Sequence, residues 1–222
     1  MVISLTEENY LKAIYTLSNL NNWSEVSTNE ISAHLKNKAA TVTDMLKRLS
    51  EKKLIAYKKY QGVKLSDKGK RTAIKVIRKH RLWEVFLVEK LKFRWDEVHE
   101  IAEQLEHINS DELIEKLDNF LGRPKNDPHG DPIPDSNGKF LNQNSIALAE
   151  GIKQETYVVT GVTDHSTAFL QYLTQLGINL GYLIKIEETN SYDQSLKIKI
   201  NNKQNNFISN KAASHLLVAQ KL

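Results

Sequence analysis

The chain has 222 residues, 40% of them hydrophobic and 26% charged, with a formal net charge of +4 and no cysteine. That apolar content excludes an intrinsically disordered chain, and the length suits one large domain or two to three small ones. Without cysteine, disulfides, iron–sulfur clusters and thiolate zinc fingers are excluded, so any metal must be held by nitrogen and oxygen. The first residues, MVISLTEENYLKAIYTL, contain no long apolar run, so neither a signal peptide nor a membrane span is expected; a cytoplasmic protein with no membrane partner is.

The mild net charge hides a polarity. Residues 36–81 hold 16 Lys/Arg against 3 Asp/Glu, a local balance of +13, whereas residues 82–121 hold 4 against 11, a balance of −7. A basic block beside an acidic one points to a polyanion-binding element followed by one that attracts cations.

In chain order, TEENYLKAIYTLSNL spaces Tyr10, Leu11, Ile14, Leu17 and Leu20 at helical intervals. STNEISAHLK predicts a second helix with Ser27 or Thr28 as N-cap and Glu30 in its first turn. After a break at NKAA comes TVTDMLKRLSEKKL, whose apolar stripe is Val42, Met45, Leu46 and Leu49. IAYKKYQGVKLS then supplies two β-prone runs around Gln61-Gly62, and Ser66 caps a helix running through DKGKRTAIKVIRKHRLWEVFLVEKL. Helix, turn, helix and β-hairpin is the order of a winged helix-turn-helix. In that motif the second helix enters the major groove with its N-terminal residues against base edges. Ala39, Ala40, Thr41, Thr43 and Asp44 stand at that end, and Lys47, Arg48 and the wing residues Lys58 and Lys59 are placed to meet phosphates. Double-stranded DNA is the expected partner.

All four prolines fall in PKNDPHGDPIP, residues 124–134, the clearest breaker in the chain. It separates a helical N-terminal part from a part that reads as β-rich, from the alternation in SLKIKI (195–200) and the apolar run TYVVTGV (156–162).

The acidic block contains HEIAEQLEH, residues 99–107. At about 100° per residue, His99, Glu103, Glu106 and His107 share an arc of one helix, while Val98, Ile101, Ala102, Leu105 and Ile108 cover the other side. His80 and Glu84 repeat an i, i+4 pair one helix upstream. Two helices presenting histidine and glutamate to each other make a nitrogen/oxygen cage for a metal. The zinc-protease signature H-E-x-x-H is not met, because Glu103 stands where its second histidine belongs. A carboxylate/histidine metal hydrolase is the rival class; it needs an open coordination position facing a substrate cleft. No such cleft is recognisable in the sequence, so the chain is not expected to be an enzyme or to take a small organic substrate.

Taken together, TEENYLKAIYTL, RKHRLWEVFLVEKL, VHEIAEQLEH followed by SDELIEKLDNFLGRP, and DPHGDPIP resemble the diphtheria toxin repressor family of metal-dependent transcriptional regulators, in its three-domain form. The resemblance implies a mainly α fold with small β elements. A winged helix-turn-helix domain (1–73) would be followed by a helical dimerisation and metal-binding domain (74–141) and an SH3-like β-barrel (142–222). YLTQLGINLGYLIKI carries the Leu-Gly rhythm of that barrel. The resemblance further implies a homodimer on a palindromic operator and repression of metal-ion uptake genes. Apolar faces around 75–121, including Leu82, Val85, Phe86 and Leu87, would form the dimer.

Carried over position by position, a primary metal site would use Asn9, Glu103, Glu106 and His107. An ancillary site would use His80, Glu84 and His99, with a further ligand from the third domain, for which Asp164 is the candidate and His165 its rival. Iron-responsive members place a cysteine where this chain has Glu103; the manganese-responsive branch places a glutamate. A carboxylate and imidazole set suits Mn²⁺, with Fe²⁺ as the alternative, and Zn²⁺ or Co²⁺ can substitute in vitro. Two departures stand out. Asn9 replaces the aspartate usual in the manganese branch, and Lys12 stands where two-domain manganese regulators carry another acidic ligand. Glu8 is adjacent to Asn9 but points about 100° away on a regular helix.

Overall fold

In the computed structural model, residues 3–21, 24–58, 61–141 and 144–220 are described. They form two compact units. One comprises Met1–His80, Glu103–Ile114 and Pro134–Lys139; the other comprises Arg81–Ala102, Glu115–Ile133 and Phe140–Leu222. No helix among the described residues is long and apolar enough to cross a membrane.

The first unit begins with α1 (Leu5–Leu20), closed at its start by a capping box in which Ser4 and Glu7 exchange hydrogen bonds. Tyr10, Leu11 and Ile14 are buried as their spacing predicts, but Leu20 is 72% exposed at the last position of the helix and Tyr15 is buried in its stead. The second helix, α2 (Thr28–Leu35), has Ser27 as N-cap in another capping box with Glu30. It stops at Lys36, whose left-handed φ of 52° turns the chain toward α3 (Ala39–Glu51). Val42, Leu46 and Leu49 are fully buried on α3, with Met45 half-buried beside them. β1 (Ile55–Lys58) and β2 (Gly62–Leu65) pair antiparallel as the wing, and Val26 and Val63 exchange backbone hydrogen bonds of 3.1 and 2.9 Å. Ser66 then caps α4 (Asp67–Glu89), with Gly69 N–H donating to its Oγ at 3.1 Å. A Cβ on Gly69 would lie 2.0 Å from the carbonyl oxygen of Leu54, so only glycine permits this close approach.

Helix α4 continues from the first unit into the second, as does α6 (Asp111–Phe120), whereas the short α5 (His99–Leu105) starts in the second and ends in the first. In the second unit, Leu82, Val85 and Leu87 of α4 are buried within the chain itself. The expectation that they form a dimer surface is therefore corrected: they are core. Phe86, Trp83 and the 64% exposed Phe120 form an aromatic cluster instead, with centroid separations of 5.7 Å (Trp83–Phe86) and 6.4 Å (Phe86–Phe120).

The remainder of this unit is an antiparallel sheet of six strands: β3 (Ile146–Ala147), β4 (Thr156–Val162), β5 (Leu183–Thr189), β6 (Leu196–Ile200), β7 (Gln204–Ile208) and β8 (Leu216–Gln220), in the order β3-β8-β4-β5-β6-β7. Period-two alternation explains its faces: Leu196, Ile198 and Ile200 are buried while Lys197 and Lys199 are partly exposed. Ile198 pairs with Ile186, and Ile200 with Ile184. Helix α7 (Thr167–Gln175) adds Leu170 and Leu173 to the core, and α8 (Asn210–Ala213) adds Ala212 and Ala213.

The proline-rich segment is not a linker. Asp127 N–H donates to Asp131 O at 3.0 Å, and Val162 N–H of β4 donates to His129 O at 2.9 Å. Gly130, at φ +93°, sits so close to β4 that a Cβ would meet Thr160 O at 2.2 Å. The loop is thus pinned to the sheet with two candidate ligand residues, Asp127 and His129, at its tip.

Candidate metal centres and nucleic-acid interface

In the second unit, Glu84, Asp127 and His129 are all buried, and each offers a ligand atom within 4.8 Å of the others. Glu84 Oε2 lies 3.6 Å from His129 Nδ1, which is 3.9 Å from Asp127 Oδ1. His129 is fixed from its other ring nitrogen, Nε2 standing 2.8 Å from the Trp95 carbonyl oxygen, and its ring stacks on Trp95 at 6.2 Å. Arg81 reaches the same loop, with Nη2 donating to Asp131 Oδ2 at 2.9 Å and Nε 3.6 Å from Asp127 Oδ2.

The electrostatics of this cluster are those of carboxylates forced together away from water. Burial, reinforced by the charges of Glu84 and Asp131, pushes the Asp127 pKa up to about 7. Burial works against a charge on His129, but its hydrogen bond to Glu84 and the carboxylates of Glu84 and Asp127 outweigh it and push the imidazole up to about 9. Two buried carboxyl groups beside an imidazole whose charge they favour are the environment a divalent cation neutralises. The oxygen and nitrogen donors suit a hard or borderline ion, so the residues fit the metal the fold implies.

Of the ancillary set, His80 and Glu84 stand one turn apart on α4, and His99 Nδ1 is 3.6 Å from Glu84 Oε1. Asp164 is half-buried, its Oδ1 accepting from Ser166 N–H at 2.9 Å. Its rival His165 adjoins the cluster, its ring 5.1 Å from that of His129 and its Nε2 3.9 Å from Asp131 Oδ2.

The primary set lies in the first unit. Helix α5 ends at Leu105, so Glu106 and His107 sit in the turn that follows rather than on a continuous helical face. Glu103 is exposed, Glu106 is buried and His107 is nearly so. Asn9 is exposed, whereas Glu8 accepts from His107, 2.6 Å between Oε2 and Nδ1. The expectation that Glu8 points away from these residues is thus corrected: with Glu106 and His107 on a turn, their side chains are not confined to one helical arc. His107 Nε2 is 3.8 Å from Glu106 Oε1. The donor types fit a hard divalent cation, but Glu106 Oε2 is already met by Lys12 Nζ at 2.6 Å and His80 Nδ1 at 2.5 Å. Burial disfavours the Glu106 charge, yet the His80 hydrogen bond and the Lys12 charge hold its pKa below the usual glutamate range.

On α3, Ala39, Ala40, Thr41, Asp44, Lys47 and Arg48 are exposed, as is Lys58 on the wing; Lys59 lies outside the described residues. Asp44 and Lys47 pair at 3.2 Å, and Thr43, half-buried, turns its hydroxyl back to Ala39 O at 2.9 Å. Exposed small residues at a helix N-terminus, followed by basic ones a turn later, make a surface able to approach the edges of bases and the phosphates that flank them.

Three consecutive stretches match described families: residues 3–63 the iron dependent repressor N-terminal DNA binding domain, 66–135 the iron dependent repressor metal binding and dimerisation domain, and 146–220 the FeoA domain. An HTH-type transcriptional regulator of Methanocaldococcus jannaschii is 36% identical over 55% of this chain and 98% of its own length. The chain belongs to the diphtheria toxin repressor family. This family consists of metal-dependent DNA-binding transcriptional repressors rather than enzymes, and its members combine DNA-binding and dimerisation domains. The iron-dependent repressor IdeR of Mycobacterium tuberculosis is 34% identical over 58% of this chain and 55% of its own. A probable metal transport system membrane protein of Chlamydia trachomatis is 44% identical over 39% of this chain. The chain therefore spans about half the length of IdeR and 19% of the chlamydial protein. Among solved structures, a manganese-dependent transcriptional repressor in complex with manganese is 32% identical, covering 96% of this chain and 99% of its own with a TM-score of 0.84. The manganese regulator SloR is also 32% identical, with full coverage of both chains and a TM-score of 0.74.

Asp127 and His129, within DPHGDPIP, are functional candidates that neither helical spacing nor the family resemblance assigns a role. The signal was there: carboxylate and imidazole two residues apart, beside a glycine and between prolines, in a segment too rigid for a mere connector.

Proposed function

We propose that this chain is a manganese-activated repressor of metal-ion uptake genes, acting in the cytoplasm as a homodimer on a palindromic operator. Residues 1–73 read DNA, 74–141 dimerise and hold metal, and 142–222 brace the metal-binding loop. The observation that carries the metal is the donor set: Glu84, Asp127 and His129 converge as buried oxygen and nitrogen donors in a chain with no thiol. We assign the activating site to Glu103, Glu106 and His107, with a ligand from the first helix at Asn9 or Glu8. The ancillary assignment covers His80, Glu84, His99 and Asp164, with Asp127 and His129 as further donors beside the shared Glu84.

When bound, the metal supplies positive charge that lets these carboxylates approach without mutual repulsion. The chain's own part is to present donors from α1 and from the turn after α5, so that neutralising them fixes the DNA-binding helices against that turn. Such coupling raises DNA affinity by as much as the metal prefers the fixed arrangement. Ala39, Ala40, Thr41, Thr43 and Asp44 face bases, and Lys47, Arg48 and Lys58 face phosphates.

Iron is the second assignment, favoured by the likeness to iron-dependent IdeR. The test is fluorescence anisotropy of a labelled fragment from upstream of the chain's own and neighbouring transport genes. Chelator-stripped protein at fixed ionic strength is titrated with Mn²⁺ and then with anaerobic Fe²⁺. Tight binding only with metal is expected, with Mn²⁺ acting first; salt-sensitive binding indifferent to metal overturns the proposal.

A further inference from the structure

The Lys12 side chain is 19% exposed and that of Glu106 is 1% exposed, so their 2.6 Å ion pair is largely removed from water. Lys12 Nζ is also 3.2 Å from His80 Nδ1 and 3.9 Å from Glu103 Oε1. One ammonium therefore stands among three groups of the kind that bind a divalent cation. The arrangement carries an internal conflict. His80 Nδ1 cannot both donate its proton to Glu106 and accept one from Lys12, so the two contacts compete for a single ring nitrogen. The ammonium is tethered by α1, on the same helix as Glu8, whose carboxylate engages His107.

We propose that Lys12 is a built-in competitor for the activating cation, setting the metal level at which this cluster responds. In the metal-free chain the ammonium neutralises Glu106 and approaches Glu103. Binding there requires Lys12 to leave Glu106, so the observed affinity is the affinity of the carboxylates reduced by the strength of the lysine pair. A tethered charge of this kind needs no second ligand to impose a threshold, because its effective concentration is fixed by the fold. The inference rests on the assignment of Glu103, Glu106 and His107 to the activating site.

The test follows free Mn²⁺ by electron paramagnetic resonance during titration of the full-length, chelator-stripped chain. The variants are Lys12→Met, Lys12→Arg, Glu103→Gln, and Lys12→Met combined with Glu103→Gln. Lys12→Met is expected to tighten one site by about tenfold or more, the equivalent of one lost charge contact. Lys12→Arg, which keeps the cation, is expected to stay close to wild type, and adding Glu103→Gln is expected to cancel the gain. If Lys12→Met binds no tighter while Glu103→Gln still removes a site, the competitor role is overturned and the site assignment stands. If neither change alters binding, both fall. Should Lys12→Met fail to fold, reductive methylation of wild type with mass spectrometry decides: Lys12 must become more reactive on adding Mn²⁺, and unchanged reactivity overturns the proposal.

Discussion

Glu84 and His129, distant in sequence, face each other 3.6 Å apart in a buried setting, one on a long helix and the other on a proline-rich loop. Glu84→Gln keeps the shape and removes the charge that both His129 and the proposed metal require. Mn²⁺ affinity at this cluster is expected to fall by about 100-fold, in line with the loss of a ligand or its immediate support. Isothermal titration calorimetry checks it; unchanged affinity places the metal elsewhere.

Asp127 at about 7 and His129 at about 9 give the metal-free chain a distinctive pH profile. Both values lie above those of the unfolded chain, about 3.9 and 6.5, so the folded chain binds more protons and its stability falls as pH rises. The His129 contribution is fully present below the unfolded pKa and is lost as pH climbs through about 9. The cost of a buried Asp127 carboxylate appears as pH climbs toward about 7. Melting in chelator is expected to drop steadily from mildly acid to alkaline pH. The stabilisation by Mn²⁺ is expected to grow over the same range, because binding displaces those protons. Asp127→Asn should flatten the lower limb; a wild-type profile without slope contradicts the prediction.

Gly130→Ala would place a methyl 2.2 Å from Thr160 O at a φ of +93°. Both the clash and the left-handed backbone oppose it, and a loss of about 2 kcal/mol or more in urea unfolding is expected. Metal affinity should fall with it, because the loop that carries Asp127 and His129 can no longer lie against β4. Wild-type stability would mean that the loop is not pinned this way.

On DNA, Arg48→Ala and Thr41→Ala should fail differently. Loss of a phosphate contact lowers the salt slope of log affinity by about 0.9 and weakens all sequences alike. Loss of a base contact leaves that slope intact and removes about 1–3 kcal/mol of discrimination. Anisotropy titrations at several salt concentrations on operator and scrambled DNA separate the two outcomes; identical behaviour would remove α3 from the groove.

Phe120 is 64% exposed beside Phe86, 6.4 Å between ring centroids. If this aromatic cluster is the homodimer face, Phe120→Asp should weaken dimerisation by about 2 kcal/mol or more. Sedimentation equilibrium reads it directly; an unaffected dimer means another surface is used.

The local signals in this chain were strong, because they depend on neighbours in sequence. Ser27 and Glu30, Ser66, the Val42–Leu46–Leu49 stripe and the alternation through Ile198 and Ile200 act over one helical turn or one pleat, and their capping and burial follow from spacing alone. Charge segregation and the absence of cysteine likewise bound the chemistry from composition alone: a basic block suited to a polyanion and metal donors limited to oxygen and nitrogen. Only the tertiary structure decided which carboxylates meet. A helical wheel takes α5 to continue through His107, but the helix ends at Leu105, and that turn brings His107 to Glu8. Leu82, Val85 and Leu87 satisfy the pattern of an interface and of a core equally, and their burial within the chain chose core. Asp127 and His129 became a cluster with Glu84 because backbone hydrogen bonds and a glycine without a Cβ hold their loop against a strand. Long-range closeness of this kind arises from packing, and no periodicity in the sequence encodes it.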